Sequence, residues 1–189
     1  MKHSPTTAGL SSAVNLAATT GNGAREAQAA RSYGLRTRPD GLVELEFSHT
    51  VTMGETSSVG FVYFSKLIDW QGQYRELFGI ERIRNYMETL GGDTTMVTHS
   101  CSCQYFNEIW FADRVLVRIT VPWVRMQFAQ GVFEYYRATE TGEVLAAKGE
   151  QVWMSARRQG NVFSPGPWPQ EFLDATRELG ADTSRALVA

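Results

Sequence analysis

One stretch of the chain, Phe61 to Phe78, runs without proline and gathers its apolar side chains on one side when wound at about 100° per residue. Tyr63, Leu67, Trp70, Tyr74 and Leu77 form a stripe, and Phe64 and Ile68 widen it on one flank. Lys66, Asp69, Gln73 and Glu76 make the polar face. A helix with more than a third of its girth apolar must be covered, and the rest of the sequence offers strands to cover it. Leu42, Val43, Leu45 and Phe47 alternate loosely with Glu44, Glu46 and Ser48, which predicts a half-buried strand ending near Thr52. Downstream, Thr94–Phe106, Arg114–Pro122, Arg125–Thr139 and Glu143–Arg157 read as four further strands. Their breaks fall at Asp113, Pro122 and Thr141-Gly142, and the last two form a hairpin. The fold expected is α+β: one antiparallel sheet wrapped around one long central helix.

The chain has 189 residues, a length that suits one domain with a core independent of disulfides and metals. Residues 1–38 are rich in Ala, Thr, Ser and Gly with scattered arginines, and are expected to be a mobile extension. A transit peptide is the alternative, against which Glu26 and the lack of an amphipathic stripe count. The folded body is expected over residues 39–160, followed by a tail over 161–189 that carries a short helix between Gln170 and Gly180. A net charge of −2 offers no broad positive field for nucleic acid or anionic lipid. Neither a long apolar run nor a signal peptide is visible, so a cytoplasmic protein that does not span a membrane is expected. Cys101 and Cys103, two apart on one strand, point the same way and cannot bridge, which makes them free thiols. His99 shares their face, but ligands spaced along an extended strand do not converge on one tetrahedral metal.

Two places carry side chains suited to chemistry. Gln71 and Arg75, at i and i+4, lie at the edge of the apolar stripe and outside the polar face. Arg75 either snorkels to the surface or, aimed into a cleft that excludes water, stabilises an oxyanion. The segment Glu55-Thr56-Ser57-Ser58-Val59-Gly60 precedes the helix and is expected to put free backbone N–H groups at its N-terminus, where developing negative charge is stabilised. Ser57 or Ser58 either caps the helix or takes part in that site. Thr56 stands where a serine-hydrolase elbow has glycine, so a nucleophilic serine is not expected.

The block Glu55-Thr56-Ser57-Ser58-Val59-Gly60-Phe61-Val62-Tyr63-Phe64, followed by Trp70-Gln71-Gly72-Gln73-Tyr74-Arg75-Glu76, resembles hotdog-fold thioesterases of the 4-hydroxybenzoyl-CoA type. It is most similar to the subgroup from enediyne antibiotic polyketide pathways. That subgroup reads Glu-Thr-Asn-Leu-Val-Gly-Asn-Val-Tyr-Phe and then Trp-Gln-Gly-x-Cys-Arg-Glu, matching both blocks in wording and spacing. The likeness runs from His49 through the strands to about Arg158. Ser57 stands where the wider family has an acid and the subgroup an asparagine, and Phe61 also replaces an asparagine.

The resemblance implies hydrolysis of a linear β-keto polyene chain from the acyl carrier region of an iterative polyketide synthase, with no metal or organic cofactor. It implies Arg75 and Ser57 as catalytic residues, with Glu55, Gly60, Phe61, Val62, Tyr63 and Gln71 around the substrate. A homodimer or homotetramer is implied too. On one straight helix Arg75 lies on the order of 20 Å from the Gly60 turn, so a site shared between two copies is expected. The alternatives are a non-catalytic acyl-binding partner of the synthase, and a dehydratase, for which His49 is the candidate base.

Overall fold

The computed structural model describes residues 33–187. In chain order they form β1 (Tyr33–Thr37), β2 (Val43–Thr50), α1 (Phe64–Arg82), α2 (Tyr86–Leu90), β3 (Thr94–Tyr105), β4 (Arg114–Met126), β5 (Phe128–Thr139), β6 (Gly142–Gln159), β7 (Val162–Pro165), α3 (Gln170–Glu178) and β8 (Asp182–Ala186). The sheet order is β1-β2-β4-β5-β6-β3, with β7 added to β6 and β8 to β4. Every pairing is antiparallel except that of β8 with β4. The expected α+β plan, one sheet around one long helix, is the fold observed. Among the described residues no helix is long and apolar enough to cross a membrane.

The sheet covers α1 through the stripe read from the sequence. Leu67, Trp70, Tyr74 and Phe78 are buried against Leu45, Phe47, Val117, Phe133, Tyr135 and Trp153. Rings meet at 5.3 Å for Phe47 and Tyr74, 6.0 Å for Trp70 and Tyr135, and 5.8 Å for Phe78 and Trp153. Each such side chain contributes roughly 1.5–3 kcal/mol by leaving water. The Tyr135 hydroxyl donates to the Leu67 carbonyl at 2.9 Å, so the sheet also fixes the helix along its axis. Tyr63 and Phe64 leave the stripe. The helix begins at Phe64, Tyr63 has extended backbone, and both side chains are half exposed.

Three boundaries differ from the sequence reading. The extension expected over 1–38 lies outside the described residues up to residue 32, but Tyr33–Thr37 is a strand, with Tyr33 opposite Phe47 and Arg36 bonded to Glu46 at 3.2 Å. Pro122 does not end a strand. β4 passes through it because the register slips between Thr120 and Trp123, and a bulge tolerates a residue without an N–H. The segment after residue 160 holds the expected helix, yet it belongs to the same body: Trp168, Phe172 and Leu173 are fully buried, and β7 and β8 extend the sheet. At the opposite end from β1, β3 is an edge strand of 12 residues, most of them exposed.

Candidate active site

Residues 56–62 fold back on themselves ahead of the helix. Ser57 N–H donates to the Phe61 carbonyl at 2.8 Å, Gly60 N–H to the Ser57 carbonyl at 3.0 Å, and Val59 N–H to the Ser57 hydroxyl at 3.3 Å. Thr56 bridges Val62, and Phe61 bridges Trp110. Gly60 has φ of +102°, so the backbone itself requires glycine, while a Cβ there would meet the Trp110 ring only at an ordinary contact distance of 3.7 Å. The N–H groups expected to be free around Gly60 are therefore largely spent inside a hairpin turn. Those left without an acceptor among the described residues are Ser58 and Phe61 beside the turn, and Phe64 and Ser65 in the first turn of α1. The positive end of the helix dipole lies at the same place.

That first turn opens on a cavity of about 480 Å³. One wall is Phe61, Val62, Tyr63, Phe64 and Leu67; the other is the end of β3 and the loop after it, from Tyr105 to Ile109. The Tyr105 hydroxyl donates to the Phe64 carbonyl at 3.0 Å and ties β3 to the helix end. Burial, then its contact with Cys103, pushes the Tyr105 hydroxyl up to about 12, so it keeps its proton. Glu108 is the single carboxylate among the lining residues. The sequence does not single it out, because it lies in a loop with no periodic pattern and is brought here by tertiary contacts, the pairing of β3 and the bonds from Val62 N–H to the Ile109 carbonyl and from Phe111 N–H to the Gly60 carbonyl.

The remaining predicted residues lie elsewhere. Glu55 is a clamp: its carboxylate accepts from Thr52 N–H at 2.7 Å, the Thr52 hydroxyl at 2.8 Å and the Trp70 indole at 2.8 Å. His49 Nε2 stands 3.0 Å from the same carboxylate, and its ring lies 4.3 Å from Trp70. His49 and Glu55 thus touch each other instead of facing across a cleft, an arrangement that does not serve a dehydratase. Gln71 is fully buried, its amide donating to the Ser102 carbonyl at 2.9 Å, and fits only because Gly149 opposite has no side chain. Arg75 bonds the Thr98 hydroxyl at 2.5 Å and does not line the cavity. Along α1 it is about 16 Å beyond Phe64.

Burial pushes the Glu55 carboxyl up, but the bonds from Thr52 and Trp70 and the charge of His49 outweigh it and hold it below its ordinary 4.5. A lowered carboxyl adds stability that is complete above about pH 4.5 and is lost as pH falls through the folded value. Acid titration followed by tryptophan fluorescence is expected to show a steeper loss of stability below pH 4.5 in the wild type than in Glu55→Gln. Parallel curves would remove Glu55 from that role.

No protein-family description and no curated protein sequence matches the chain. Solved structures do. The dynemicin thioesterase, whose crystal structures concern polyene binding, is 30% identical over 71% of this chain and 95% of its own, with a TM-score of 0.67. The 4-hydroxybenzoyl-CoA thioesterase of Pseudomonas sp. strain CBS-3 is 12% identical over 70% of this chain and 98% of its own, at 0.63. A 1,4-dihydroxy-2-naphthoyl-CoA thioesterase from Synechocystis is 18% identical over 72% of this chain and 98% of its own, at 0.60. At those identities the last two report the shared fold alone.

Proposed function

Because the chain belongs to the hotdog-fold thioesterases and is a thioester hydrolase, we propose that it frees a long β-keto polyene chain, as the acid, from the acyl carrier region of an iterative polyketide synthase. The observation that carries this reading is the apolar cavity opening on the unpaired first turn of α1. Its size lies within the range of pockets that enclose small organic ligands, and Phe61, Val62 and Leu67 supply the apolar wall an acyl chain needs. The 30% identity with a thioesterase whose structures concern polyene binding supports the substrate class.

In this reading the thioester carbonyl oxygen points at the N–H groups of Phe64 and Ser65, which stabilise the charge that forms as water attacks. Glu108 takes the proton from that water. Ser57 stands in the turn before Phe61 and does not itself line the cavity; its part is to hold the water or the carbonyl oxygen at the cavity's edge through its hydroxyl, since a serine alone is a poor proton acceptor. Collapse of the tetrahedral species breaks the carbon–sulfur bond, the carrier thiol leaves with a proton, and the carboxylic acid remains.

We also propose that the enzyme is at least a homodimer, with Arg75 of one copy serving the cavity of the other. β3 ends the sheet among the described residues, and that long edge supports pairing with a second copy, while the position of Arg75 away from its own cavity supports sharing.

Intact-mass analysis of a carrier protein loaded with a β-keto polyene chain tests the reading. Addition of catalytic amounts of the enzyme is expected to return the carrier to its free-thiol mass over time. Loss of the acyl group no faster than in buffer, with the chain held stoichiometrically, would make the protein a binding partner of the synthase.

A further inference from the structure

On the sheet, far along β3 from Tyr105, a second groove of about 600 Å³ lies between β3, β4 and β5. We propose that it binds an amphipathic carboxylate, a single anionic head on an apolar body, independently of the cavity at α1.

Two irregularities open the groove. β3 carries an extra residue, His99, between Thr98 and Ser100, and β4 slips register between Thr120 and Trp123. Bulges of this kind re-aim side chains out of the regular pleat. His99 is turned against Phe128, with ring centroids 5.1 Å apart. The β4–β5 turn is equally tight: Arg125 pairs with Phe128 across Met126-Gln127, and Met126 has φ of +51°, a conformation that a side-chain-bearing residue avoids. The tight turn makes Arg125 and Phe128 cross-strand neighbours, and both line the groove.

The chemistry of the lining selects the ligand. Trp123, Met126, Phe128 and Val152 provide an apolar floor. Arg125 is exposed, lies over the Trp123 ring at 5.4 Å, and makes no ion pair among the described residues. No acid lines the groove. Asp182, in register with Trp123 on β8, accepts from the Ser184 N–H at 3.0 Å and hydroxyl at 2.7 Å; it lies within electrostatic reach of Arg125 and Arg185 but closes no ion pair with either. One guanidinium with no direct ion pair, beside an apolar floor, matches one carboxylate on a hydrocarbon or aryl body, since the planar fork takes a carboxylate with two parallel hydrogen bonds.

The test uses octanoate with a photoreactive diazirine at its tail, and mapping of the adduct by peptide mass spectrometry. Adducts are expected within residues 123–128, competed by plain octanoate and not by 1-octanol. Arg125→Ala is expected to weaken octanoate binding at least about tenfold by calorimetry. Its melting temperature is compared with that of the wild type, so that loss of the fold is not mistaken for loss of the site. Adducts confined to residues 61–67, equal competition by 1-octanol, or unchanged affinity in a folded Arg125→Ala protein would each overturn the proposal. Because the readout is binding and position, it stands or falls separately from thioester hydrolysis.

Discussion

Glu108→Gln should lower turnover of an acyl-carrier thioester by about 10²–10⁴-fold, the range that a positioned general base contributes. The amide keeps the size and hydrogen-bonding reach of the side chain but cannot accept a proton from water. Glu108 is exposed at the mouth of the cavity, so the melting temperature should stay at the wild-type value. KM should change little, because the loss falls on the chemical step and not on the fit of the acyl chain. Single-turnover experiments with the loaded carrier in excess enzyme separate these quantities. A variant as fast as the wild type would leave water activation to Ser57 or to the substrate itself, and the role given to Glu108 would be withdrawn.

How far the sequence could be read depended on whether the signal was local. The helix stripe was legible because Leu67, Trp70 and Tyr74 repeat at helical spacing, and all three are buried where that spacing puts them. The same arithmetic failed at Tyr63, which precedes the first helical residue and obeys strand geometry. The alternation in β2 was legible for the same reason, with Leu45 and Phe47 turned inward. β1 was not, since Tyr33 and Leu35 alternate over too few residues among glycine and arginine to stand out. Gln71 shows a different limit. The resemblance implied a substrate contact for it, but the space it fills exists because Gly149, far along the chain, lacks a side chain. Only tertiary pairing reveals such a complement. The cavity follows the same rule: Phe61, Val62 and Tyr63 were anticipated from a contiguous motif, whereas Glu108 and Tyr105 come from the opposite wall.

Arg75→Ala should cost about 10²–10³-fold in kcat, the scale of losing one oxyanion donor, while Ser57→Ala should cost less. Within one chain the guanidinium is engaged with Thr98 on β3 and lies beside Glu76, 3.9 Å away. It lies about 16 Å along the helix from the first turn that faces the cavity. A side chain cannot span that distance, so an arginine that acts on the thioester must come from a second copy. The edge of β3, which ends the sheet among the described residues, offers the route, because pairing two such edges antiparallel would bring two helices side by side, running in opposite directions. The decisive experiment mixes Arg75→Ala protein with a variant inactivated at the opposite element, Gly60→Val, whose β-branched side chain the +102° backbone does not accept. Each homodimer should be inactive, and mixed dimers should recover activity in one of their two sites. Subunit exchange is followed by native mass spectrometry, so that absence of mixing is not read as absence of complementation. If heterodimers form and no activity returns, Arg75 acts only through the helix that carries it, and its contact with Thr98 becomes its whole role.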